Sequence, residues 1–176
     1  MTMDLREALK EQYHAGLAAL ADCVEKCPDE LWLEGDQPRT YWRIAFHAAF
    51  FAHLYMGQTE SDFRPWPGRR EGIHESLWES PEYVEPFELP ENAQSYGKRE
   101  VLDYLRFVDG LVDSTIDHLD LASDETGFSW YPDMSKLSHE IMNLRHIAEH
   151  VGQLSERLKT QGLEIDWVSR SSGLEG

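Results

Sequence analysis

The stretch from Thr40 to Met56, TYWRIAFHAAFFAHLYM, constrains the fold more than any other part of the chain. It is apolar on nearly every side at helical spacing, which predicts a helix enclosed by other helices and not one lying on a surface. At about 100° per residue, Ala45, Ala48, Ala49 and Ala52 share one face, where a neighbour can approach closely. Such a helix needs partners all round, and three further segments supply them. The first, about Asp4 to Cys27, carries Leu5, Leu9, Leu17, Leu20 and Val24, with Pro28 following where a helix should stop. The second, about Tyr96 to Leu121, has the stripe Val101, Leu105, Val108, Val112, Ile116 and Leu119, with Ser95 as its N-cap. The third runs from about Ser135 to Thr160. With no strand alternation and no internal repeat, the expectation is an all-α fold, a four-helix bundle around one core.

A chain of 176 residues with 41% hydrophobic residues fits one domain, read here as 1–168. Residues 169–176 read as an unstructured tail. Between the second and third helices of this plan lies a long insert, residues 57–94. Its five prolines, Pro65, Pro67, Pro81, Pro86 and Pro90, forbid a long helix, while Phe63, Trp66, Trp78, Tyr83 and Phe87 give it apolar area with which to dock. Connections of this length usually bind, cover or bridge something, so either a packed flap over one end of the helices or a plain crossover is expected.

Charge excludes some functions. Thirty-three acidic against 16 basic residues leave a formal charge of −17, which repels a phosphate backbone, so nucleic acid is not an expected partner. No signal-peptide pattern opens the chain, and the most apolar stretch, Ile44 to Met56, is too short to span a bilayer. The expectation is a soluble, cytoplasmic protein with no membrane contact. Cys23 and Cys27 make neither a disulfide framework nor a four-sulfur metal site and read as packing residues.

Histidines carry the functional signal. In NLRHIAEHVGQL, residues 143–154, His146 and His150 stand four apart on the last helix, on one face and about 6 Å apart along its axis. On a helical projection Leu137, Ile141, Leu144, Ala148 and Val151 form an aliphatic face, and Ser138, Arg145, Glu149 and Glu156 a solvated one. His139, Asn143, His146, His150 and Gln153 fall at the boundary, which suits a cleft open to water. Eight histidines among 176 positions produce an H-x-x-x-H spacing by chance in roughly one such chain in three, so a third ligand is needed. His47 is the best candidate. An imidazole there, among Phe50, Phe51 and Leu54, would carry an unsatisfied nitrogen at a cost of about 1–3 kcal/mol unless something binds it. His53 reads as a hydrogen-bonded core or rim residue, and His14, His74, His118 and His139 as structural.

The second-helix sequence YWRIAFHAAFFAHLYM and the fourth-helix sequence NLRHIAEHVGQL together resemble the DinB-like superfamily of bacterial metal-binding four-helix proteins. The resemblance extends in order through CPDELW, RPWPGRREG and SWYPDMSKLSH, and so covers most of the chain. In that superfamily one histidine of the second helix joins an H-x-x-x-H pair followed by a Gly-Gln step, here Gly152-Gln153. The resemblance implies that His47, His146 and His150 bind a divalent metal ion, zinc or nickel, and that the bundle often forms a homodimer. Arg145 departs from the pattern, standing beside a ligand where many relatives carry a small polar group.

Three neutral imidazoles would leave such an ion its full charge, able to activate a water or a thiol near neutral pH. Relatives that use low-molecular-weight thiols make a metal-dependent transferase or hydrolase acting on a small-molecule substrate one expectation. The other is a non-catalytic, stress-related or metal-sequestering bundle in which the ion ties two helices together. An anionic cosubstrate would need Arg43, Arg64, Arg69, Arg70 or Arg145 to gather at the mouth of the site. A carboxylate di-iron centre is excluded, since only Glu11 and His14 show the Glu-x-x-His spacing within a helix. No serine-hydrolase elbow or nucleotide-binding glycine loop is present.

Overall fold

The computed structural model describes residues 4–36, 39–70 and 94–174. Among them every regular element is helical: α1 Leu5–Lys26, α2 Asp29–Trp32, α3 Tyr41–Met56, α4 Lys98–Asp109, α5 Val112–His118 and α6 Lys136–Thr160, with a 3-10 turn at Glu60–Asp62. None of these helices is long and apolar enough to cross a membrane.

The first helix begins where Asp4 accepts from the backbone amides of Arg6 and Glu7, two of the donors that a helix start leaves orphaned. It ends at Cys27 before Pro28, which leads into the single turn of α2. That turn is too short to show periodicity in the sequence, yet it buries Trp32, whose Nε1 donates to Tyr96 O at 2.8 Å. Every residue of α3 except His47 is buried, as its all-round apolarity predicts. Its most extensive contacts are with α6, which also packs along α1. Contacts between Arg39 and Arg157, His47 and His146, and Ala52 and Asn143 show that α3 and α6 run antiparallel.

The helix expected over Tyr96 to Leu121 is broken in two. At the joint, Gly110 N donates to Arg106 O and Leu111 N to Val108 O, both at 3.0 Å, tightening the turn. Asp109, the last residue of α4, is turned inward against His14 Nδ1 (2.7 Å) and the amide of Leu174 (2.8 Å). Its predicted stripe from Val101 to Leu119 is buried throughout. The N-cap is Gly97 and not Ser95, because Glu100 reaches back to accept from Gly97 N at 2.7 Å.

A second correction concerns α6. The face read as aliphatic is half out of the core: Ile141 is 56% exposed and Ala148 is exposed as well. The buried face instead carries Lys136, His139, Glu140, Asn143, Ile147, Leu154 and Leu158. Burial of Lys136, Glu140 and Asn143 is possible because they find partners inside, whereas both ring nitrogens of His139 have no hydrogen-bond partner among the described residues. Tyr13 OH donates to Glu140 Oε2 at 2.6 Å, Asn143 Nδ2 donates to Tyr13 OH at 2.9 Å and to Ala52 O at 3.1 Å, and Lys136 Nζ lies 3.2 Å from Glu140 Oε1. Lys136 also donates to the carbonyls of Gly57 and Thr126, tying together the loop that leaves α3 and the loop that enters α6 at one end of the pair.

Both described ends of the insert are docked. Phe63 packs edge-on against Phe50 and Trp66 stacks on Tyr104, with centroids 5.5 and 4.9 Å apart. Arg70 pairs with Glu100 at 2.7 Å and donates to the carbonyls of Gln94 and Ser95, so one arginine joins the two ends. Residues 71–93, with His74, Trp78, Tyr83, Phe87, Pro81, Pro86 and Pro90, lie outside the described residues. The stretch 169–174, which shows no periodicity, lies along α1: Gln12 Nε2 donates to Ser169 O and Ser171 N to Glu11 O.

Candidate metal centre

Half way along the α3–α6 pair, the three sequence-predicted histidines meet. His146 Nε2 lies 3.3 Å from His47 Nε2 and 2.9 Å from His150 Nε2. One nitrogen from each ring lies within 4.8 Å of the other two. Ligand nitrogens about 2.0–2.1 Å from a tetrahedral ion are separated by about 3.3 Å, so the spacing fits a single small cation. A proton shared between rings can bridge only one pair of nitrogens at a time. A cation satisfies all three lone pairs together.

Helix geometry explains the convergence. His146 and His150 are one turn apart on the face that α6 turns toward α3, and His47 is the one α3 residue at the edge of the interface, so it meets them from the opposite side. Phe51, one turn after His47, closes one flank, its ring centroid 4.7 Å from that of His47 and 5.6 Å from that of His146. Tyr55 continues this wall, 4.9 Å from Phe51.

Two of the rings, His47 and His146, are held neutral. Burial, reinforced by the neighbouring His150 and His146, pushes His47 down to about 2, and burial together with His150 pushes His146 down to about 4. Near pH 7 both offer lone pairs without first losing a proton. The tautomer of His150 is set from behind: its Nδ1 lies 3.0 Å from Gln153 Oε1, an acceptor, so Nδ1 carries the hydrogen and Nε2 keeps the lone pair. Among the described residues no fourth histidine, cysteine or carboxylate joins the group, so a tetrahedral ion held there would have one coordination position without a protein ligand.

The other described histidines take structural places. His53 Nδ1 meets Tyr104 OH at 3.0 Å, His118 Nδ1 meets Ser114 O at 2.6 Å, and His139 is wholly buried between Phe128 and Tyr55. His14 lies between Asp109 and Asp113. Burial raises the thiols of Cys23 and Cys27 to about 12 and about 11, so neither is a thiolate near neutral pH.

The five arginines expected at the mouth are dispersed along the chain, with Arg43 one turn before His47 on α3 and Arg69 in the turn after Trp66, its amide donating to Trp66 O at 3.1 Å. Arg64 donates to the carbonyls of Ser61 and Phe63, Arg70 is held by Glu100, Arg43 is buried over Trp42, and Arg145 faces solvent. Sequence reasoning placed Gln153 beside the site but not its bond to His150. It passed over the Lys136–Glu140 pair, whose signal is the i,i+4 spacing of opposite charges, and also Arg39 and Arg157. No protein-family model, no curated protein and no solved structure matches this chain.

Proposed function

We propose that this chain is a divalent-metal-binding protein built on the DinB-like four-helix plan, with α4 and α5 together forming one of the four helices. In this reading His47, His146 and His150 hold zinc or nickel, and the protein is a metal-dependent transferase or hydrolase acting on a small molecule. The observation that carries it is the meeting of three Nε2 atoms from two helices, one of them oriented by Gln153. A divalent ion held by neutral imidazoles supplies a concentrated positive charge that favours the deprotonated form of a water or a low-molecular-weight thiol. The protein's own part is to keep His47 and His146 unprotonated by burial, to fix the ring of His150, and to shield one flank with Phe51 and Tyr55.

Catalysis is favoured over a purely structural ion because three protein ligands leave a tetrahedral ion one coordination position for water or substrate, and because α3 and α6 pack extensively without needing a tie. The buried, unbonded cysteines accord with a reducing compartment such as the cytoplasm. Elemental analysis of protein purified without a metal-affinity step tests the site. Wild type should carry about one ion per chain, and His150→Ala close to none; undiminished metal in that variant would refute the assignment.

A further inference from the structure

The antiparallel arrangement brings the start of α3 against the end of α6, and a cavity of about 300 Å³ opens there, lined by Arg39, Ile44, Gln153, Glu156, Arg157 and Thr160. It adjoins the metal centre through two of these residues. Gln153 is the residue that holds His150, and Ile44 lies one turn before His47 on the same helix. Along α6 the positions 146, 150, 153 and 157 succeed one another on one face, so the cavity continues the histidine stripe by one to two turns, about 5–10 Å.

Charge distinguishes this cavity in a chain with a net charge of −17. Neither Arg39 nor Arg157 forms an ion pair among the described residues. Arg157 Nη1 donates to Arg39 O at 2.8 Å, which fixes the guanidinium at the rim while leaving its other donors uncommitted. The Oε1 of Gln153 is engaged by His150, and its Nε2 makes no hydrogen bond among the described residues, so a neutral donor stands between the arginines and the histidines. Two guanidinium groups and an amide N–H beside a cation site match an anionic group on a small molecule. Glu156 in the same wall penalises a dianion more than a monoanion, which favours carboxylate over phosphate.

We propose that this groove is the substrate's anchoring site, in which Arg39 and Arg157 bind the carboxylate of a small molecule whose reacting end reaches the three histidines. The inference rests on the metal-site reading and deepens it by naming a substrate class. Its test uses cobalt-loaded protein titrated with 3-mercaptopropionate and with its neutral amide, 3-mercaptopropionamide, followed by the cobalt–thiolate absorption band. The carboxylate should bind about tenfold more tightly than the amide. Arg39→Gln and Arg157→Gln should each erase most of that preference and leave the affinity for the amide unchanged. If Arg157→Gln loses cobalt because its bond to Arg39 O anchors the loop, Arg39→Gln, whose side chain makes no hydrogen bond among the described residues, decides the matter. Equal affinities for the two probes in wild type, or a preference that survives Arg39→Gln, would overturn the anchoring site alone. Failure of the wild type to take up cobalt would overturn the metal centre and this proposal with it.

Discussion

At the residue level the proposed metal centre depends on two kinds of side chain, those that would meet a cation and those that aim them. Gln153 belongs to the second kind. Its replacement by alanine should weaken metal affinity about 10–100-fold, measured by chelator competition, while Gln153→Glu, which keeps an acceptor at the same place, should restore most of it. A second expectation concerns pH. His47 and His146 have folded-state values of about 2 and about 4 against an ordinary 6.5, so the unfolded chain binds more protons than the native one below 6.5. Their contribution to stability is therefore complete above 6.5 and is lost as pH falls, by up to about 1.4 kcal/mol per pH unit for each histidine. Urea titrations of metal-free protein at several pH values should show a shallower loss between pH 6.5 and 4 once both are replaced by glutamine.

Among the helices, α6 does most to join site and core. Its buried polar groups are bound into a network with Tyr13 of α1, so removing one charge leaves the other stranded without water. Glu140→Ala should cost about 3–5 kcal/mol in a urea melt, and the double change Lys136→Met with Glu140→Leu should recover most of that loss. The helices were largely legible in the sequence because α3 and the stripe of α4 and α5 are apolar with clear periodicity. The face of α6 was not, because hydropathy treats Lys136, Glu140 and Asn143 as exposed and cannot see partners supplied by Tyr13 and the carbonyl of Ala52. The break at Gly110 was hidden for a similar reason. The stripe runs through it unbroken, and the groups that draw Asp109 inward, His14 and Leu174, are distant in sequence. His47 could be picked out because an imidazole is out of place on an otherwise apolar helix, and His146 and His150 because they stand four apart on one helix face; Arg39 and Arg157 could not, since exposed arginines are common and only the pairing of helix ends brings them together.

For the whole molecule, the histidines occupy one stretch of an interface that continues well beyond them, and the core cluster extends from Leu9 to Leu158. Metal-stripped protein should therefore keep its helical circular-dichroism spectrum at room temperature and unfold in a single cooperative transition, with the ion adding stability by mass action. A chain that loses its helical signal on chelation would point to an ion with a structural role. The wide separation of the ligands along the chain, 99 positions from His47 to His146, also bears on biosynthesis. During translation α1 and α3 leave the ribosome long before α6 exists to cover them, so nascent chains expose an apolar surface that invites chaperones. On the proposed metal-binding reading, a cation could be captured only after α6 has been made, which would set metal loading as a late step in the maturation of this protein.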